Sequence, residues 1–452
     1  MAKLVAIGDS LTQGFHSLAI TNTHQSYPAV IGHAMGLDVT TFQRPDFRGK
    51  GGLPCNIEWL ARRLEERYGA NLSTFEWLRA VHTIAELIDE VEDYWERGKG
   101  AKPGPDAAYH NLAVWGFEVA DAVNITAALC RQAIEGSKDE WFRPPSSPRL
   151  RTALRVLNPA HTDARWDDTQ VSIAKRIAAQ EGGIEHLIVW LGANNCLKTV
   201  MRLKVKETGD EPPGANSDYT LWTPKAFTKD YTRLANEIDE IGAENVYVAT
   251  VPHVTIPPIT RGIMEDRGRL PDGEQYFDYY THFFIRDKEF NPKRDPYLTK
   301  ADAAKIDQCI NAYNETIKEQ ARNRRWHVVD TCAMLEQQAV RRNGGRATYP
   351  LPPALSDLSV RFFEITPGGK LKNGGLIGLD GVHPTACGYA LIASEFIKVM
   401  NQHGAGAREI DFAEVRRWDS LVATPPRTLD DMLSALATLE KHFHLSRWMF
   451  AG

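Results

Sequence analysis

The sequence predicts an α/β protein built on a flavodoxin-like parallel sheet of five strands, enlarged by insertions. Three observations carry that expectation. Short apolar runs alternate with stretches of helical periodicity, the order that lays helices against a parallel sheet. The runs number five, enough for a flavodoxin-like sheet. The 452 residues are 43% apolar and 25% charged, ordinary values for a chain that buries a large core, which excludes a disordered, collagenous or coiled-coil protein. At roughly 150 residues per domain, length alone leaves the number of domains open.

The first run, Leu4-Val5-Ala6-Ile7, ends at Gly8, and the others are His110 to Val114, His186 to Trp190, Asn245 to Thr250 and Trp326 to Asp330. Between the first two lies a block at about residues 30–106. It has helical periodicity at Ile57 to Arg67 and Phe75 to Trp95 and closes on the breaker Lys102-Pro103-Gly104-Pro105. This is too long for a simple crossover and reads as a helical insertion. Further insertions follow the third and fourth strands. One covers residues 197–224, irregular from Val205 and containing Pro212-Pro213-Gly214, and the other covers 256–298, rich in aromatics. Both are long enough to be lids. A helix from Ala386 to about Met400 completes a domain expected to span residues 1–401. After the Gly404-Ala405-Gly406 hinge, residues 402–452 read as a helical extension with an apolar pattern at Thr428 to Phe443.

Charge and cysteine usage narrow the function classes. Lys and Arg number 53 against 58 Asp and Glu, a formal charge of −5 with no basic excess, so nucleic acid is not an expected partner. Six cysteines (Cys55, Cys130, Cys196, Cys309, Cys332, Cys387) lie far apart with no Cys-x-x-Cys pair, and read as free thiols in a reducing compartment. The apolar run inside Met1 to Ile7 is too short for a signal peptide, and no stretch of about 18 apolar residues follows. No membrane span and a cytoplasmic location are therefore expected, and the sequons at Asn71, Asn124 and Asn314 are read as accidental. The oligomeric state is not legible.

Chemistry begins at the first turn. Gly8-Asp9-Ser10-Leu11-Thr12 follows a buried-type strand and opens a helix, which puts Ser10 at the carboxyl edge of the sheet with a free backbone N–H. Ser10 can be a nucleophile there, although Asp9 or Ser10 as a plain helix cap requires the same residue types. A nucleophilic serine needs a base, and fourteen histidines compete. Only His383 has an acid three positions earlier, Asp380. With 58 acids in the chain that spacing also arises by chance. What distinguishes it is the compact loop Gly378-Leu379-Asp380-Gly381-Val382-His383-Pro384-Thr385, which can hold two side chains rigidly before a helix. Asp380 on one ring nitrogen would leave the other to take the Ser10 proton. Two strand ends add donors: Gly116, whose N–H no side chain shields, and Asn194 in Gly192-Ala193-Asn194-Asn195, with a side-chain amide. Each alone is also ordinary turn chemistry.

Together these segments resemble the SGNH, or GDSL, hydrolase family, which is named for its four blocks. The Gly-Asp-Ser-Leu block stands at Gly8 to Leu11, the glycine block at Gly116, the Gly-x-Asn-Asp block at Gly192 to Asn195 and the Asp-x-x-His block at Asp380 to His383. The resemblance implies a three-layer sandwich, a Ser10, His383, Asp380 triad, and an oxyanion hole from the Ser10 and Gly116 N–H groups and the Asn194 side chain. It implies a serine-dependent esterase, lipase or acylhydrolase that forms an acyl-enzyme on a small-molecule ester and needs no metal or cofactor. Asn195 departs from the family's frequent Asp, which puts local loop bonding in doubt more than the chemistry. The family core is much shorter than this chain, so the resemblance is silent on the insertions and the extension. A thioesterase, a carbohydrate O-acetyl esterase and a catalytically silent binding protein remain open. No Gly-x-Ser-x-Gly elbow, His-Glu-x-x-His site or phosphate loop supports another class. The rings between Tyr276 and Tyr297 offer either a binding wall or packing of the insertion onto the core, with Asp278, Arg286 and Lys288 breaking any continuous patch. Cys196 and Trp115 read as core residues.

Overall fold

The computed structural model describes residues 1–69, 74–136, 144–214, 217–266, 268, 270–271, 273–283, 285, 287–360 and 374–429. Its centre is a parallel sheet of β1 (Ala2–Gly8), β2 (Ile184–Trp190), β3 (Asn245–Ala249) and β4 (His327–Val329), hydrogen-bonded in that order. The helices covering it are α1 (Tyr27–Ala34), α2 (Gln170–Glu181), α3 (Pro224–Asp239), α4 (Lys300–Arg324), α5 (Thr331–Gln338) and α6 (Ala386–Asn401).

The strands read as continuous apolar runs because both faces are covered. Successive side chains alternate between two buried clusters. Val5, Ile7, Leu187, Val189, Val246 and Val248 join residues of α2, α3 and α4 on one face. Leu4, Ala6, Ile188, Trp190, Tyr247 and Ala249 join residues of α1, α5 and α6 on the other. That is a three-layer arrangement.

The expected fifth strand is a correction. His110 to Val114 lies parallel to β1 at the sheet edge, with Ala6 N to His110 O and Leu112 N to Ala6 O at 2.8 Å and Val114 N to Gly8 O at 3.1 Å, but it forms an isolated bridge and no strand. Side chains take over part of the ladder. The Asn111 amide donates to Thr12 O at 2.9 Å while its carbonyl accepts from Ala113 N at 3.1 Å, and Gln170 donates to Gly8 O at 2.9 Å and Leu112 O at 2.8 Å. A side chain that binds its own neighbouring backbone competes with sheet pairing.

The helical block contains Ile57–Tyr68 and Thr74–Glu96. The first of these also receives the chain's last described residues, since Arg62 donates to Ser420 O at 3.1 Å and Thr428 Oγ1 donates to Ala61 O at 2.9 Å. Most of the apolar pattern at Thr428 to Phe443 lies outside the described residues. In the aromatic stretch, Tyr279–His282 pairs antiparallel with Thr260–Ile263 and with Leu298–Thr299, so it carries a small sheet where an irregular segment was expected. Tyr280 is buried in the core, and Tyr279 meets Tyr297 edge-on at 5.1 Å, so these rings pack the stretch itself and against the core. Phe284 and Arg286 lie outside the described residues. All six cysteines are free thiols. Among the described residues no helix is long and apolar enough to cross a membrane.

Candidate active site

The loops at the carboxyl ends of β1 and β2 converge with the Gly378 to Thr385 loop, as expected for an open parallel sheet. β1 turns at Gly8, where a Cβ would fall 2.8 Å from Trp190 O, so only glycine passes β2 this closely. Asp9 then caps the following turn, accepting from Leu11 N at 3.1 Å. The helix anticipated there is a single turn, Ser10–Gln13, too short for a useful macrodipole. What the turn leaves is the Ser10 N–H, which has no hydrogen-bond partner among the described residues.

Opposite Ser10, the Gly378 to Thr385 loop closes on itself through Gly378 N to His383 O at 2.7 Å and Gly381 N to Gly378 O at 3.1 Å. Asp380 fills the closure. Its Oδ1 accepts from Val382 N at 2.9 Å and His383 N at 2.8 Å, and its Oδ2 accepts from Leu18 N at 3.1 Å and lies 3.0 Å from His383 Nδ1. His383 Nε2 is 2.9 Å from Ser10 Oγ. All three side chains are buried. Burial alone would raise the Asp380 carboxyl, but His383 and the backbone donors outweigh it and hold its pKa below the ordinary carboxylate value. An ionised Asp380 accepts only, so Nδ1 carries the proton and Nε2 is free to accept from Ser10.

Gly116, at φ +75°, lies two residues past the Val114 N to Gly8 O bond, with its N–H unpartnered among the described residues. Its loop is held from several directions. Trp115 N donates to Gln13 Oε1 at 2.9 Å, the Trp115 indole donates to Thr152 Oγ1 at 2.9 Å, and Arg149 Nη1 donates to Gly116 O at 3.3 Å and to Asp121 at 3.2 Å. The Asn194 amide donates to Phe117 O at 2.9 Å and to Asp9 Oδ2 at 3.2 Å. Asn195 points elsewhere. Fully buried, it accepts from Val119 N at 3.2 Å and so pins the same loop.

Ser10, His383 and Asp380 therefore meet directly, while Asn194 joins their turn through Asp9 and reaches the Gly116 loop through Phe117 O. Sequence reasoning missed Arg149, which no motif flags because it arrives from the helix Pro148–Leu157. It also read Asp9 only as a cap. Burial pushes the Asp9 carboxyl up to about 7, against the lowering effect of the Leu11 N–H. The folded protein thus keeps a proton that the unfolded chain releases between about pH 4 and pH 7, and Asp9 costs stability increasingly as pH rises through that window. Asp9→Asn is expected to raise the unfolding temperature at about pH 8 and change it little at about pH 4. The gain is on the order of 4 kcal/mol, less about 1 kcal/mol because one carbonyl must serve two donors. A variant no more stable than the parent at the higher pH, followed by calorimetry, would contradict this account of Asp9.

A cavity opens beside Ser10 and His383, between the Pro252 to Pro257 loop, α5 and α6. None of the described rings between Tyr276 and Tyr297 lines it. Among the described residues no group of three or more His, Cys, Asp or Glu is arranged to hold a metal ion. The family described as GDSL-like Lipase/Acylhydrolase matches residues 4–396 of the chain. No curated protein matches it.

Proposed function

The chain belongs to the GDSL-like lipase/acylhydrolase family, and from that premise we propose that it hydrolyses carboxylic esters through an acyl-enzyme on Ser10. The observation that carries the proposal is the continuous relay Ser10 Oγ, His383 Nε2 at 2.9 Å, and His383 Nδ1 to Asp380 at 3.0 Å. Ser10 Oγ attacks the ester carbonyl while His383 Nε2 takes its proton. Asp380 stabilises the imidazolium without itself being protonated. Collapse of the tetrahedral intermediate expels the alcohol, to which His383 returns the proton, and water repeats the sequence to release the acid.

Negative charge on the carbonyl oxygen would meet the Ser10 and Gly116 N–H groups, which have no competing protein acceptor among the described residues. The third proposed donor is Asn194. In the resting site both of its amide hydrogens are engaged, and the longer bond, to Asp9, is the one that would turn to the oxyanion. Asn194→Ala should lower kcat by about 10²- to 10³-fold with little change in KM. Asn195→Ala should act differently, since Asn195 holds the Gly116 loop through Val119 N. It should lower stability, and its effect on kcat should be the smaller of the two. If Asn195→Ala damaged kcat more in a protein still folded, the donor assignment would be wrong by one residue.

A fluorophosphonate probe followed by peptide mapping tests the whole reading. Labelling at Ser10 supports the enzyme. A folded, unlabelled protein supports a binding module that keeps the fold without turnover. Thioesters and carbohydrate O-acetyl groups would pass through the same relay, so direct comparison of the three donors decides among them.

A further inference from the structure

The chain continues past residue 396, where the family match ends, and its last described residue is Leu429. In this segment the helix Phe412–Trp418 and the turn Ser420–Ala423 lie against α6, the helix that follows the Gly378 to Thr385 loop. Val415 and Val422 join the buried cluster of α1, α5 and α6. Between the helix and the turn stands Asp419, 2% exposed. Its Oδ2 accepts from Cys387 N, in the first turn of α6, at 2.8 Å, and its Oδ1 accepts from Leu421 N and Val422 N, both at 3.1 Å. A buried carboxylate is costly unless donors surround it, and these three backbone groups supply them. α6 gains in return, because first-turn N–H groups have no acceptor inside their own helix. Thr385 at its N-cap accepts from Gly388 N at 3.4 Å and leaves Cys387 N to Asp419.

The loop's other flank meets the same segment. Leu379, next to Asp380, shares a buried cluster with Leu421 and Leu429 of the extension and with Ala61, Leu64 and Ala80 of the helical block. The extension is itself tied to the helix Ile57–Tyr68. Arg62 Nη2 donates to Ser420 O at 3.1 Å and to Thr424 O at 2.9 Å, and Arg427 N donates to Glu65 Oε2 at 2.9 Å. Asp380 and His383 thus lie between two attachments, Leu379 and Cys387, both made by the extension. Resting on the serine hydrolase reading above, we propose that Asp419 is a positioning residue for His383, and that the segment around it is a strap setting the approach of that base to Ser10. Asp380 and His383 belong to one loop and move together, so their mutual bond leaves the distance to Ser10 unfixed. That distance, 2.9 Å from His383 Nε2 to Ser10 Oγ, depends on where the loop sits. A misplacement of about 1 Å costs about 10²-fold in rate.

The experiment uses the full chain, at a temperature where circular dichroism shows each variant fully folded. Asp419→Ala should lower kcat on a short activated ester by about 10- to 100-fold with little change in KM. Asp419→Asn should fall between it and the parent, since one carbonyl oxygen can serve Cys387 N or its own turn but not both. Leu421→Ala, which loosens the Leu379 flank, supplies the same test if Asp419→Ala fails to fold. The decisive comparison repeats the substitution on a His383→Ala background, reading the rate at which a fluorophosphonate probe labels Ser10 over hours. A residue that acts through His383 has nothing left to position there, so Asp419→Ala should slow labelling by less than about twofold on that background and by about 10-fold or more on the parent. Parental kcat in both folded variants, or an equal loss with and without His383, would overturn the inference and leave the hydrolase reading standing. Absence of any Ser10-dependent turnover together with an unlabelled Ser10 in the parent would remove both.

Discussion

Ser10→Ala is expected to leave the fold intact and to lower turnover of a short activated ester by several orders of magnitude. The hydroxyl's recorded partner is His383 Nε2, while the turn around it is held by Asp9 and by backbone bonds from Gly14 N and Phe15 N to Ser10 O, both at 3.0 Å. Alanine keeps all of these. It also keeps the Ser10 and Gly116 N–H groups, so a small residual rate above that of water should survive. Unchanged circular dichroism and unfolding temperature, together with a collapsed kcat, are the expected pair of results. Near-parental activity in a contaminant-free preparation would remove Ser10 from the mechanism.

The second large effect belongs to His383. His383→Ala should cost about as much as Ser10→Ala, because residues that act as a unit fail together. Removing Asp380 should cost less in kcat, since its part is to orient the ring and stabilise its charge. It should cost more in stability, because Asp380 also accepts from Val382, His383 and Leu18 N–H groups. Acid should switch the enzyme off without unfolding this loop. Asp380 titrates below the ordinary carboxylate value, so its contribution to stability is present above about pH 4 and is lost only as pH falls through that depressed pKa. A protonated imidazole, in contrast, cannot accept the serine proton. Activity should therefore be lower at about pH 5 than at about pH 8 in a chain equally folded at both. Equal activity at the two would argue against a histidine base.

The readable parts of this protein were local in sequence. Gly8 to Leu11 and Gly378 to Thr385 each declare a turn by their own glycines and capping residues, and the apolar runs declare buried strands. Asp380 reaches His383 within one loop, so that pair could be proposed from spacing and punctuation. His110 to Val114 shows where local reading stops. It has a strand's composition, but Gln170 takes the Leu112 carbonyl that a strand would have given to its neighbour, and Asn111 binds the backbone of its own segment at Ala113 N. The aromatic stretch was equally ambiguous, because the same rings suit a ligand wall or a packed sheet and only their neighbours differ.

Sequence by itself determined which residue types were available at the ends of the strands, and the family to which their order points. Tertiary structure decided which of them touch. It closes 373 positions of chain to set His383 against Ser10, and it sends Arg149 from a distant helix to the Gly116 carbonyl. It also buries Asp9 deeply enough to raise its carboxyl to about 7, and turns the polar atoms of Trp190, Thr331 and His253 away from the cavity. The physical reason is the same in each case. Turn and strand preferences come from sterics and hydrogen bonds within a few residues, whereas burial, pKa and donor placement depend on atoms that only the packed core brings within reach.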